Sequence, residues 1–248
     1  MNAKISLAVA AALLLAAAPA AAEGSKRLEP FESKGWGDKI GRLGLSAYMV
    51  SGASEAGVSG GTVRQDFTRN HVDLDFDLFG FWDATRFDTL IGADTTFKLG
   101  LHGAPKTDAP SAEPKDDGYA LFFRWDAAMD YGLVHWDGSM RGRLGFGAGF
   151  GMDYDSKRWY SAGGRIYPLL LARVQLWMGD SFGLHFAYHW VPTTTNDRSV
   201  REHRFEAGVG LGAFHGGARV AITSVTAQDP SADALITREI GAFVAYAF

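Results

Sequence analysis

The feature that most narrows the fold is an apolar period of two that returns in segment after segment from about residue 40 to the C-terminus. Val72, Leu74, Phe76 and Leu78 alternate with Asp73, Asp75 and Asp77. Tyr119, Leu121, Phe123, Trp125, Ala127, Met129 and Tyr131 repeat the pattern around Arg124, Asp126 and Asp130, and Phe182, Leu184, Phe186, Tyr188 and Trp190 repeat it around His185 and His189. Successive side chains of a strand point to opposite faces, so each such segment is a strand with one greasy and one polar face. The bulky face runs over roughly 10–14 residues, near the length a tilted strand needs to cross a bilayer. The other face mixes Asp, Arg, His and Gly. Bulky outside and polar inside predicts an all-β fold, a single transmembrane antiparallel up-and-down β-barrel.

Ten candidate strands span about 40–50, 62–79, 87–102, 118–131, 139–153, 163–178, 181–191, 201–214, 217–227 and 236–248. An even number brings both chain ends to one side. The connections after odd-numbered segments are the polar ones: Gly52 to Gly61, Gly103 to Gly118, Asp155 to Ser161, Pro192 to Ser199 and Asp229 to Ala234. Those after even-numbered segments are tighter, with Gly179-Asp180 and His215-Gly216 as turns. Long loops outside and short turns in the periplasm are the usual asymmetry of such barrels. Aromatic residues also fall near strand ends, with Tyr131, Phe182, Phe214 and Phe248 toward the short turns and Tyr48, Tyr154 and Trp190 toward the long loops. Amphipathic rings collect at the two interfaces of a bilayer.

The remaining sequence sets limits. Lys4, the apolar run Ile5 to Ala18 and the small residues Ala20-Ala21-Ala22 predict an export signal over 1–22, cleaved near Ala22 and followed by a short periplasmic lead over 23–39 before the barrel at 40–248. No cysteine is present in 248 residues, which removes disulfides, a lipoprotein anchor and thiolate metal sites. The formal net charge of -4 is too small to suggest nucleic acid as a partner. No cofactor or metal site is expected.

The last segment, Ile240 to Phe248, alternates Ile240, Ala242, Val244 and Tyr246 and ends in a terminal aromatic residue, Phe248. It resembles the C-terminal signal of bacterial outer-membrane β-barrel proteins, with Tyr246 and Phe248 in the signal positions. That resemblance implies an outer-membrane location, engagement by the barrel assembly machinery through strand addition, and outer-membrane lipid and lipopolysaccharide as surroundings. A monomer is expected.

Two groups of inward residues could carry function. The first is a lumen charge network: Arg42, Asp73, Asp75, Asp77, Asp94, Lys98, Arg124, Asp126, Arg143, Arg173, Arg204 and Glu206, with Asp88, Asp130, Arg165 and Glu239 on the same face. Carboxylates spaced two apart on one strand repel, so they require cations from neighbouring strands. The second is glycine: Gly145, Gly147, Gly149 and Gly151, then Gly208, Gly210 and Gly212. Glycines inside a strand make room, either for bulky neighbours such as Tyr167, Leu169, Leu171 and Trp177 or for a narrow pathway. His185 and His189 share a face but stand about 13 Å apart, too far for one metal ion. The function these features predict is a small channel or a structural surface barrel without catalysis. The alternatives are an omptin-like or lipid-A-modifying hydrolase, with His189 and Asp197 at the loop rim, and an adhesion or recognition barrel acting through its long loops.

Overall fold

A computed structural model describes residues 41–58, 61–84, 89–103, 106–107, 120–136, 140–155, 163–178, 182–194, 198–227 and 234–248; the expected signal peptide and lead lie outside them. The strands are β1 (Gly41–Val58), β2 (Gly61–Ala84), β3 (Thr89–His102), the two-residue β4 (Lys106–Thr107), β5 (Ala120–Trp136), β6 (Met140–Asp155), β7 (Gly163–Met178), β8 (Phe182–Thr194), β9 (Arg198–Leu211), β10 (Phe214–Ala227) and β11 (Ala234–Ala247). Each long strand pairs antiparallel with the next, and β1 pairs with both β2 and β11. β4 only touches β2 at Phe67 and Thr68. The result is the expected closed, ten-stranded, antiparallel barrel, and no helix occurs among the described residues.

The period of two decides which side chains face in. On β1, Leu43, Leu45 and Met49 are exposed on the outer surface, whereas Ser46 and Val50 are buried. On β2, Val72, Leu74 and Leu78 lie outside, and His71, Asp73, Asp75 and Asp77 lie inside. The register joins these rows into one band: Leu45 stands beside Leu74 on one neighbour and Val244 on the other. Leu99, Leu121, Phe146, Leu170, Phe186, Phe205 and Ile240 continue it around the barrel. Some polar groups on the outer face are paired with one another. The Trp125 indole donates to Thr95 Oγ1 at 2.7 Å, the Thr95 hydroxyl donates to the Asp126 carbonyl at 3.1 Å, and the Tyr188 hydroxyl meets His203 Nδ1 at 2.7 Å.

Several expectations change, and the connection expected at Pro192 to Ser199 is strand at both ends, since the β8–β9 pairing runs to Thr194 opposite Ser199. Residues 52–58 and Gly61, expected in a loop, are strand: β1 and β2 stay in register out to Val58 opposite Gly61, so cross-strand pairing extends the wall there. The turn between β9 and β10 falls at residues 212–213 rather than His215-Gly216. It is set by Gly212, whose φ of 59° lies in the left-handed region that side-chain-bearing residues avoid, and this takes Gly212 out of the lumen row. Tyr48, expected in an outer aromatic band, instead points inward, because it shares parity with Ser46 and Val50.

The first strand and the last residue meet. Phe248 donates its backbone N–H to the Gly41 carbonyl at 2.9 Å, and its ring stacks 6.3 Å from Phe76. Gly41 is required there, since a Cβ would stand 2.8 Å from the Phe248 ring and 2.9 Å from the Asp77 carbonyl oxygen.

Candidate functional site

Strands that are not neighbours in the wall present their inward side chains to one another across the lumen. Two groups of charges meet there, each with three cations against three carboxylates. In the first, the Arg42 guanidinium pairs with Asp77 and reaches Glu206 on β9 at 2.7 Å. Arg219 on β10 pairs with Asp75 and with Glu206 at 2.6 Å, and Lys98 on β3 lies 3.5 Å from Asp75. Ser46 and Tyr48 add hydroxyls to Arg219, and His185 Nε2 meets Glu206 at 2.8 Å. In the second, Arg204 on β9 holds Glu202 and Asp126 at 2.6 Å each. Arg165 holds Asp153 at 2.7 Å and pairs with Glu202, and Arg124 reaches Glu202 at 3.0 Å. The Tyr167 hydroxyl donates to Asp126 at 2.7 Å, and the Arg165 and Arg204 guanidiniums lie 4.8 and 5.3 Å from the centre of its ring. A smaller set joins Arg173 on β7 to Asp94 on β3 at 2.6 Å and to Asp130 on β5 at 3.3 Å. Desolvated charges persist only when opposite charge and hydrogen bonds surround them, and this balance supplies both.

Of the residues singled out in the sequence, Arg42, Asp75, Asp77, Asp94, Lys98, Arg124, Asp126, Arg173, Arg204 and Glu206 come together in these groups. Asp73 instead meets His71 Nε2 at 2.7 Å, beside a stack of His71 on His102 with centroids 4.2 Å apart. Glu239 lines the central cavity. The Arg143 side chain and Asp88 lie outside the described residues. Asp153, Glu202 and Arg219 were not singled out. Each carries a readable signal: Glu202 shares parity with Arg204 and Glu206, Asp153 with Gly149 and Gly151, and Arg219 is the one charge on β10.

The glycines fit close approach. A Cβ on Gly147 would stand 1.9 Å from the Met129 carbonyl oxygen, and one on Gly149 would stand 2.1 Å from that of Ala127. At Gly151 it would meet Asp126 and the Tyr167 ring, and at Gly208 it would fall 2.2 Å from the His185 ring. Gly145 and Gly210 are buried on the same face.

Between the charge groups lies a cavity of about 150 Å³, bordered by Arg42, Lys98, Gln175, His189, Arg204 and Glu239 among others. Toward the long-connection end, Phe67, Val200 and Val225 form a buried apolar cluster across the interior. His189 therefore faces the cavity beside Arg204, its cross-strand partner, and Asp197, its expected rim companion, lies outside the described residues. Among the described residues no group of three or more His, Asp or Glu is placed to hold a metal ion.

Fold and interior together define a closed β-barrel with a continuous apolar exterior and a lumen crossed by compensated charge. No protein-family model and no curated relative matches the sequence. Among solved structures the chain is similar to a deletion mutant of the monoaromatic hydrocarbon channel TodX, at 6% identity over 85% of this chain and 91% of that one, with a TM-score of 0.29. It is similar to an outer membrane channel of Pseudomonas putida F1, at 9% identity over 85% and 96%, with a TM-score of 0.33. A third similarity is to Ail, the attachment invasion locus protein of Yersinia pestis, at 11% identity over 84% and 99%, with a TM-score of 0.24.

Proposed function

We propose that this chain is an outer-membrane surface barrel whose interior is closed to bulk solutes by ion pairs. The observation that carries the reading is the bridging of non-adjacent strands. Arg42 to Glu206, Arg219 to Asp75 and Arg204 to Asp126 each join walls that share no ladder, so side chains occupy the path a solute would take. The membrane placement rests on the outer band, where large apolar side chains are exposed on all ten long strands. In water such a surface would drive association; in hydrocarbon it is solvated. The C-terminal strand suits capture by the barrel assembly machinery, and closure of the sheet suits a monomer. On the outside, Arg201 and His203 share a groove with Trp190, Thr194 and Ser199, which suits the anionic headgroups of lipopolysaccharide.

Planar-bilayer recording of the refolded protein tests the reading. The expected result is no steady current; a steady, ohmic pore conductance overturns it. A narrow channel is the second reading, favoured by the central cavity, and it predicts a small current that changes when Asp77 or Asp75 is replaced by Asn.

A further inference from the structure

One seam of the barrel is incomplete. The β6–β7 ladder runs to Asp155 opposite Gly163, and the β8–β9 ladder runs to Thr194 opposite Ser199. The β7–β8 ladder stops earlier, at Leu170 opposite Trp190. Above that pair, Gly163–Leu169 of β7 and Val191–Thr194 of β8 each have a partner on one side only. Continuing the same register by two positions sets Pro168 opposite Pro192. Neither has an N–H, so the ladder loses both donors at one rung, and proline is confined to strand edges for this reason. The barrel thus has two facing edges over the four residues 191–194, a slit about 13 Å long at 3.3 Å per residue.

What lines the slit differs from the rest of the interior. Immediately inside are Tyr167, Leu169, Leu171, Val191 and Ala128, a buried apolar cluster beside the charge groups, with Val191 at 0% exposure. Immediately outside are Ile166 and Leu170, both exposed on the apolar band. An apolar surface therefore continues through the wall at this place. Beside Pro192, the outer groove carries Arg201 and His203, where an anionic head would rest.

We propose that the β7–β8 seam is a lateral portal, through which the hydrocarbon chain of an anionic outer-leaflet amphiphile reaches the apolar wall formed by Tyr167, Leu169, Leu171 and Val191. The proposal rests on the outer-membrane reading above. The route is mostly apolar and uncharged: its polar side-chain groups are the hydroxyls of Thr193 and Thr194 on β8 and that of Tyr167, which is already bonded to Asp126.

The chain has no cysteine, so single-cysteine variants report access directly. Ala128→Cys places a thiol behind the seam, and Val244→Cys places one on the outer band. Each is reconstituted in lipid vesicles and treated with a dodecyl maleimide, which partitions into the bilayer, or with a sulfonated, water-confined maleimide. The expected result is that the dodecyl reagent labels both sites. Adding Pro168→Val and Pro192→Val, which return both N–H donors to the ladder, slows labelling at Ala128→Cys at least tenfold and leaves Val244→Cys unchanged. Leu171→Cys reports on the same wall if Ala128→Cys fails to fold. An interior thiol that the dodecyl reagent never reaches, or reaches equally fast with the ladder restored, overturns the portal while Val244→Cys labelling upholds the membrane placement. If Val244→Cys reacts with the sulfonated reagent and not the dodecyl one, the membrane placement falls and the portal falls with it.

Discussion

Arg204 and Asp126 stand on β9 and β5, strands with three others between them along the shorter way round the wall, and their Nη1–Oδ2 distance is 2.6 Å. The same guanidinium holds Glu202 and touches the Tyr167 hydroxyl at 3.1 Å, so one side chain ties β9 to β5 and β7 through the middle of the barrel.

Replacing Arg204 by Ala removes that tie and takes the cation from Asp126, while Glu202 keeps Arg124 and Arg165. Breaking a buried pair from one side costs about 3–5 kcal/mol. The urea midpoint of the refolded barrel in vesicles is expected to fall. The same variant is expected to pass a cation-favouring current in planar bilayers where the parent is silent. An unchanged recording would mean that Arg204 does not obstruct the lumen.

Gly208 and His185 are matched in size. A Cβ at Gly208 would stand 2.2 Å from the His185 ring, so Gly208→Val contests space the ring already fills, and overpacking of this kind costs about 1–3 kcal/mol. Adding His185→Ala is expected to restore much of that loss, because it empties the contested space. A double-mutant cycle by denaturant titration gives the coupling; additive losses would show that the two do not share space.

Leu45 lies in the middle of the outer band, 56% exposed, between Leu74 and Val244. Leu45→Arg is expected to cost about 2–4 kcal/mol in a bilayer, the range for a cation at mid-depth on a barrel's lipid face. On a water-facing surface the same change would stay within about 0.5 kcal/mol. Reversible unfolding in vesicles separates the two values.

Phe248 closes the barrel through its N–H to Gly41 and its stack on Phe76. Phe248→Ala keeps the backbone bond and removes the ring pair, worth about 0.5–1.5 kcal/mol beyond the area it buries. Gly41→Val, which drives a side chain into both the ring and the Asp77 carbonyl, is expected to do more harm. The folded fraction on refolding, read from heat-modifiable gel mobility, should rank parent, then Phe248→Ala, then Gly41→Val.

The alternation of Leu74 with Asp75, or of Phe186 with His185, was enough to place each of these side chains inside or outside, because a strand has only two faces and the chain must choose between them. Strand ends were less legible. Composition around 52–61 reads as a loop, and only pairing with β2 shows that Ser54 and Glu55 continue a wall. Tyr48 misled for a related reason: an aromatic ring is at home at an interface or in a core, and parity with Ser46, not residue type, fixes its direction.

The sequence by itself determined that the chain is built of two-faced strands, which rows face outward, and that the inward carboxylates must find cations, since period and charge are properties of single strands. Only the tertiary structure decided which cation meets which carboxylate, that Pro168 and Pro192 fall at one rung, and that Gly208 makes room for His185. Those facts depend on register and on which walls face each other across the lumen. A one-residue slip would exchange every partner while leaving the composition of each strand untouched.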